Sequence, residues 1–148
     1  MAETPITLDA TKVFASINGQ KQNSILGSSS GIGAFEAGIL VYQDTSVSPN
    51  VVVPAVSNDG SAKATIAGML LTGGVAGQPC IFVALDPALT VSSTAQLAKG
   101  SVYGLSATLG KMCLASDIVS AEYVSITGVA IDTNTIKFSP TMSNITRA

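Results

Sequence analysis

Ala76-Gly77-Gln78-Pro79-Cys80-Ile81-Phe82-Val83-Ala84-Leu85 sets the pattern for the whole chain: a glycine-proline turn, then a short run of β-branched, aromatic and small apolar residues. The same grammar recurs downstream. Lys99-Gly100 leads into Ser101-Val102-Tyr103-Gly104-Leu105-Ser106, and Thr108-Leu109-Gly110 leads into Lys111-Met112-Cys113-Leu114. Tyr123 to Ile131 then turns through Asp132-Thr133-Asn134 into Thr135-Ile136-Lys137-Phe138. Runs this short, bounded by Gly, Pro, Asn and Asp, predict strands of an all-β fold, a small β-barrel or β-sandwich with little helix.

Upstream the signals continue. Gly38-Ile39-Leu40-Val41-Tyr42 reads as a strand and Gln43–Asn50 as a loop. Val51-Val52-Val53 precedes Pro54, which assigns that strand to a sheet edge or bulge. Asn58-Asp59-Gly60 is a turn leading into a predicted Lys63–Leu71 strand. Ser116-Asp117 is placed to cap a single helical turn, and Ser139–Ala148 is expected to be extended.

Residues 1–34 differ from the rest and are expected to form an extended N-terminal arm, with the β-barrel domain and its short extended tail occupying 35–148. The arm holds one strand-like run, Lys12–Ile17, then an Asn18-Gly19 turn, then the polar stretch Gln20–Gly33. Within that stretch Gly27-Ser28-Ser29-Ser30-Gly31-Ile32-Gly33 has the composition of a flexible linker. Ile6, Leu8, Val13, Phe14 and Ile17 are apolar residues in a segment too polar and interrupted to fold alone. They are the candidate partner contacts, with burial on their own domain as the competing outcome of the same hydrophobic drive.

Composition narrows the function. Charged residues make up 11% of the 148 positions, against roughly 25% in ordinary soluble domains. Little like-charge repulsion between copies suits a subunit of a larger assembly. The net charge of −2, with six lysines and Arg147 scattered singly, argues against nucleic acid, whose phosphates require clustered cations. Ala64–Leu85 carries no charge, but Gly68, Gly73, Gly74, Gly77 and Pro79 divide it into strand-length pieces, so no membrane span is expected. Met1–Pro5 lacks the basic start of a secretory signal. Cys80 and Cys113 have no metal spacing. They are expected as buried thiols, a disulfide requiring that their strands be neighbours.

The catalytic motifs fail on chemistry. Gly27-Ser28-Ser29-Ser30-Gly31 fits the pattern of a nucleophile elbow, but the chain has no histidine to act as base. No lysine follows a serine at the S-x-x-K spacing. Gly27-x-x-x-Gly31-Ile32-Gly33 fits a nucleotide loop only loosely, because Ile25-Leu26 is too short a preceding strand and no Tyr-x-x-x-Lys pair exists. Gly104–Met112 has the wrong spacing for a phosphate loop, and the acidic residues stand singly beside turns. No enzyme activity, cofactor or metal is expected.

From Phe35 onward the chain resembles the head decoration, or capsid cement, proteins of tailed bacteriophages. The resemblance is carried by Ala37–Tyr42, Ile66-Ala67-Gly68-Met69, Ala76–Pro79, Lys99–Thr108, Ser116-Asp117 and Glu122–Ala130, in that order and spacing. It covers roughly 105 of the 148 residues and implies a small β-barrel subunit, commonly a homotrimer. Such a subunit is made in the host cytoplasm and sits on the capsid exterior of the virion. There it binds the major capsid protein and braces the shell. The alternative is a surface module recognising a host glycan or protein, which scarce aromatics and the absence of Trp disfavour.

Overall fold

The computed structural model describes residues 3–28, 33–47 and 49–148. Among these, regular structure is almost entirely antiparallel β: β1 (Gln20–Ile25), β2 (Leu40–Asp44), β3 (Val51–Pro54), β4 (Gly68–Leu70), β5 (Pro79–Thr90), β6 (Val102–Leu105), β7 (Met112–Leu114), β8 (Tyr123–Ala130) and β9 (Thr135–Thr146). The strands run in the order β3-β2-β4-β5-β9-β8-β6-β7, with β1 added against β5. The sheet curls into a half-barrel, in keeping with the all-β expectation. Helix is confined to two three-residue 3₁₀ turns, Ala10–Lys12 and Ala115–Asp117.

β5 organises the sheet. Its first half pairs with β1 and β4, and its second half, Asp86–Thr90, pairs with β9. The register shifts between Asp86 and Leu89, where Pro87 has no N–H to give a ladder and the Ala88 N–H turns onto the Asp86 carboxylate at 2.9 Å. The strand therefore extends past the predicted Cys80–Leu85, because a bulge absorbs the proline instead of ending the pairing.

Burial on both sides explains the uncharged run in β4 and at Phe82-Val83 of β5, while Ile81 and Leu85 of the same run stay exposed. Leu40, Tyr42, Met69 and Val83 point into one core with Leu89, Tyr103, Leu105, Ile136 and Phe138. Their neighbours Ile39, Val41, Leu70 and Phe82 pack on the opposite face with Leu26, Phe35 and Val52. A strand covered on both faces reads as a continuous apolar run instead of alternating. Among the described residues no helix is long and apolar enough to cross a membrane.

Single main-chain hydrogen bonds link the segment after β3 to the other end of the sheet. Gly110 donates to the Ala55 carbonyl (2.7 Å), Ser57 to Ser106 (3.2 Å) and Tyr123 to Ser57 (2.8 Å). The β6–β7 turn makes this approach through Gly110 at φ +73°, where a Cβ would also strike Ile39.

Three local expectations are corrected. Lys12–Ile17 is not a strand: the Asp9 carboxylate accepts from the Thr11 N–H at 3.0 Å and turns the chain, leaving one bridge between Phe14 and Thr90. The predicted Lys63–Leu71 strand shrinks to Gly68–Leu70, since Ser61 to Thr65 close successive turns (Ala64 N–H to Ser61 carbonyl, 3.2 Å). Gln20–Ile25, read as part of the polar stretch of an extended arm, is β1. Gly27 is buried as well, its N–H donating to the Val52 carbonyl at 2.9 Å, while residues 29–32 of the expected linker lie outside the described residues.

Candidate functional site

The five apolar residues of the N-terminal segment go to different places. Val13 is buried in the main core, and Ile6 and Leu8 are partly buried against it. Phe14 is 57% exposed and Ile17 98% exposed. Residues 3–17 thus lie across their own domain as a strap. Phe14, bridged to Thr90, and Ile17, in the turn before β1, remain available to a neighbour.

Buried acids fasten this strap. Asp86, 1% exposed in the β5 bulge, accepts from the Ser16 N–H at 2.7 Å and from the Ser16 hydroxyl. At the other end the Glu3 carboxylate accepts from the Ser106 hydroxyl and from the Ala107 N–H at 2.9 Å, and the Ile6 N–H donates to the Met112 carbonyl at 2.8 Å. Glu3 lies beside Glu122. Glu122 is 2% exposed and accepts from the Ser57 hydroxyl and the Val119 N–H (2.9 Å). Burial, reinforced by Glu122 and opposed by the bonds from Ser106 and Ala107, holds the Glu3 carboxyl above its ordinary range.

Between the strap and the body runs a groove walled by Ile6, Leu8, Ala37, Ile39, Leu109 and Met112. The strap leads into β1, whose residues Gln20–Asn23 are exposed. Leu71 donates to the Ile81 carbonyl (2.9 Å) and Ile81 donates to the Thr72 hydroxyl (3.0 Å), so the main-chain groups of Ile81 face away from β1. Antiparallel alternation then directs the N–H and C=O of its partner Asn23, and of Lys21, to the open side of β1. No second strand pairs with β1 at Lys21 and Asn23 among the described residues, whereas its C-terminal end is closed off by β3 through the Leu26–Val52 bridge.

Other chemistry is sparse. Cys80 and Cys113 are free and buried, in β5 and β7. Burial, then the charges of Glu3, Glu122 and Asp117, push the Cys113 thiol up to about 12, and burial also raises Cys80. Among the described residues no three metal-ligating side chains gather. Ser29, the nucleophile-elbow serine, lies outside the described residues.

Sequence reasoning passed over Glu3, Ser16, Asp86 and Glu122. Asp86 carried a signal, a single acid between an apolar strand and a proline. Glu3 and Glu122 carried none, because only the fold brings them together. The chain matches no protein-family model, and neither curated proteins nor solved structures give a match.

Proposed function

We propose that this chain is a structural virion protein that binds the outside of an assembled phage capsid and stabilises the shell. The identity of the partner, the major capsid protein, rests on the resemblance carried by residues 37–130. The mode of contact rests on one observation, the unpaired edge of β1 at Lys21 and Asn23. An edge strand presenting unpaired main-chain groups accepts a partner strand, with affinity drawn from hydrogen bonds and no demand for charge. A low-charge surface and a homotrimeric state fit the same reading, since three weak edges acting together bind a lattice far more tightly than one. Binding to the assembled state alone stabilises it by mass action.

Electron microscopy of the purified chain mixed with expanded, undecorated heads tests this directly. Density on the shell exterior is expected, and bare shells at saturating protein would sink the reading. Asn23→Pro sharpens the test. It removes a donor aimed away from β5, so the fold stands while head binding falls about tenfold or more, roughly the 1.4 kcal/mol per tenfold that one lost hydrogen bond supplies. Light scattering on the eluting peak reports whether three copies associate. A glycan-array signal without head binding would favour the host-recognition alternative.

A further inference from the structure

We propose that the strand taken up at the edge of β1 is acidic: a carboxylate stands across from Lys21, and an apolar residue two places away on the same face covers Phe14. This names the chemistry of the partner segment and rests on the edge-pairing reading above. Lys21 directs its main-chain N–H and C=O to the unpaired side of β1, at the end remote from the Leu26–Val52 bridge. A strand that hydrogen-bonds there places one side chain directly opposite Lys21, on the same face of the sheet.

The surroundings of Lys21 decide what that side chain should be. Its β5 partner Val83 belongs to the main core, so the Lys21 side chain lies on the face that the strap crosses. There it borders a shallow concavity with Thr11, Val13, Phe14, Ala15 and Leu71, of which Phe14 is exposed. Every acid of the chain is among the described residues, and none forms an ion pair with Lys21. On the elements packed beside it, Asp9 caps the 3₁₀ turn that carries Lys12 and accepts from Thr11. Asp86 is buried and accepts from Ser16 and Ala88. Lys21 is therefore an uncompensated cation beside an exposed ring, on a stretch of strand that lacks a neighbour.

The same ammonium selects against other occupants. A second copy's β1 added antiparallel to this edge brings two lysines onto one face of the joined strands, a like-charge juxtaposition that disfavours self-pairing. A strand with lysine or arginine opposite Lys21 is rejected for the same reason, and one with serine or threonine gains main-chain bonds alone. Glutamate or aspartate adds the cross-strand pair to those bonds.

The test is an NMR titration of the full chain, at low salt, with the capped peptide Thr-Val-Thr-Glu-Thr-Val-Thr and with the same peptide carrying Lys at its centre. The amides of Lys21 and Asn23 should shift, and the acidic peptide should bind about fivefold more tightly than the basic one. Lys21→Glu should invert that order. Phe14→Ala should weaken both peptides and keep the order, and undiminished binding would strike out the apolar contact. Equal affinities, an order that survives Lys21→Glu, or unmoved Lys21 and Asn23 amides would overturn the proposal. Should Lys21→Glu unravel β1, Lys21→Thr decides: the preference vanishes if the proposal holds and persists if it does not. Head binding separates the two readings. If Asn23→Pro abolishes it and Lys21→Glu leaves it unchanged, the edge reading stands and the acidic strand is refuted. Bare heads together with an intact peptide preference refute the capsid reading and leave the acidic preference in place.

Discussion

The strap and β1 are consecutive pieces of one N-terminal segment, and they hold to the body by opposite means. Residues 3–17 contribute few main-chain bonds and are fixed by side chains: Val13 in the core, Ile6 and Leu8 against it, Ser16 on Asp86, Glu3 on Ser106. Residues 20–25 contribute a main-chain ladder to β5 while Gln20, Lys21, Gln22 and Asn23 stay in solvent. Apolar content therefore does not decide which piece is integral. The strap is rich in it and is held at a few points. β1 is poor in it and is paired along its length.

That contrast fixes how each piece responds to substitution. The largest effect should come from Gln22→Pro. Alternation places the Gln22 N–H on the β5 side, opposite Phe82, so proline deletes a ladder bond and costs about 3 kcal/mol in denaturant unfolding. If Gln22→Pro proves as mild as Asn23→Pro, the assignment of inward and outward edges is broken. Val13→Ala should cost about 2 kcal/mol through the cavity it leaves, and should loosen Phe14 and Ser16 in exchange experiments before it affects β1. Equal loosening of both pieces would show that they move as one. Smallest of all, Gln22→Thr should change stability by no more than about 0.5 kcal/mol, since the side chain is exposed. A larger loss would mean that β1 depends on side chains after all.

The same contrast explains what was legible from sequence. β2, β3, β5, β6, β7, β8 and the start of β9 announce themselves because they are short runs of apolar, aromatic and β-branched residues set between turn residues. Gly60, Gly77, Gly100 and Gly110 all adopt the positive φ that a turn reading assigns them. β1 was hidden because Gln20-Lys21-Gln22-Asn23-Ser24 buries no stripe of side chains, so no periodicity betrays a strand whose bonding is main-chain alone. The β5 extension was hidden by Pro87, which reads as a terminator and acts as a bulge. Of the five partner-contact candidates, Val13 is buried on its own domain and Ile17 is fully exposed, a distinction set by the Phe14–Thr90 bridge and the following turn. Glu3 and Glu122 stand 119 positions apart, and nothing local to either reports that they will meet.

The change of partners along β5 has a mechanical consequence. One half of this strand is stitched to β4 and β1, the other to β9, with no break in the covalent chain at Asp86–Ala88. Tension applied to either half-sheet is transmitted to the other along a stretch of peptide bonds, not across a sliding side-chain interface. The register shifts of β5, at Ala84 opposite β1 and at Pro87 opposite β9, are the points on that load path where the strand has slack to straighten.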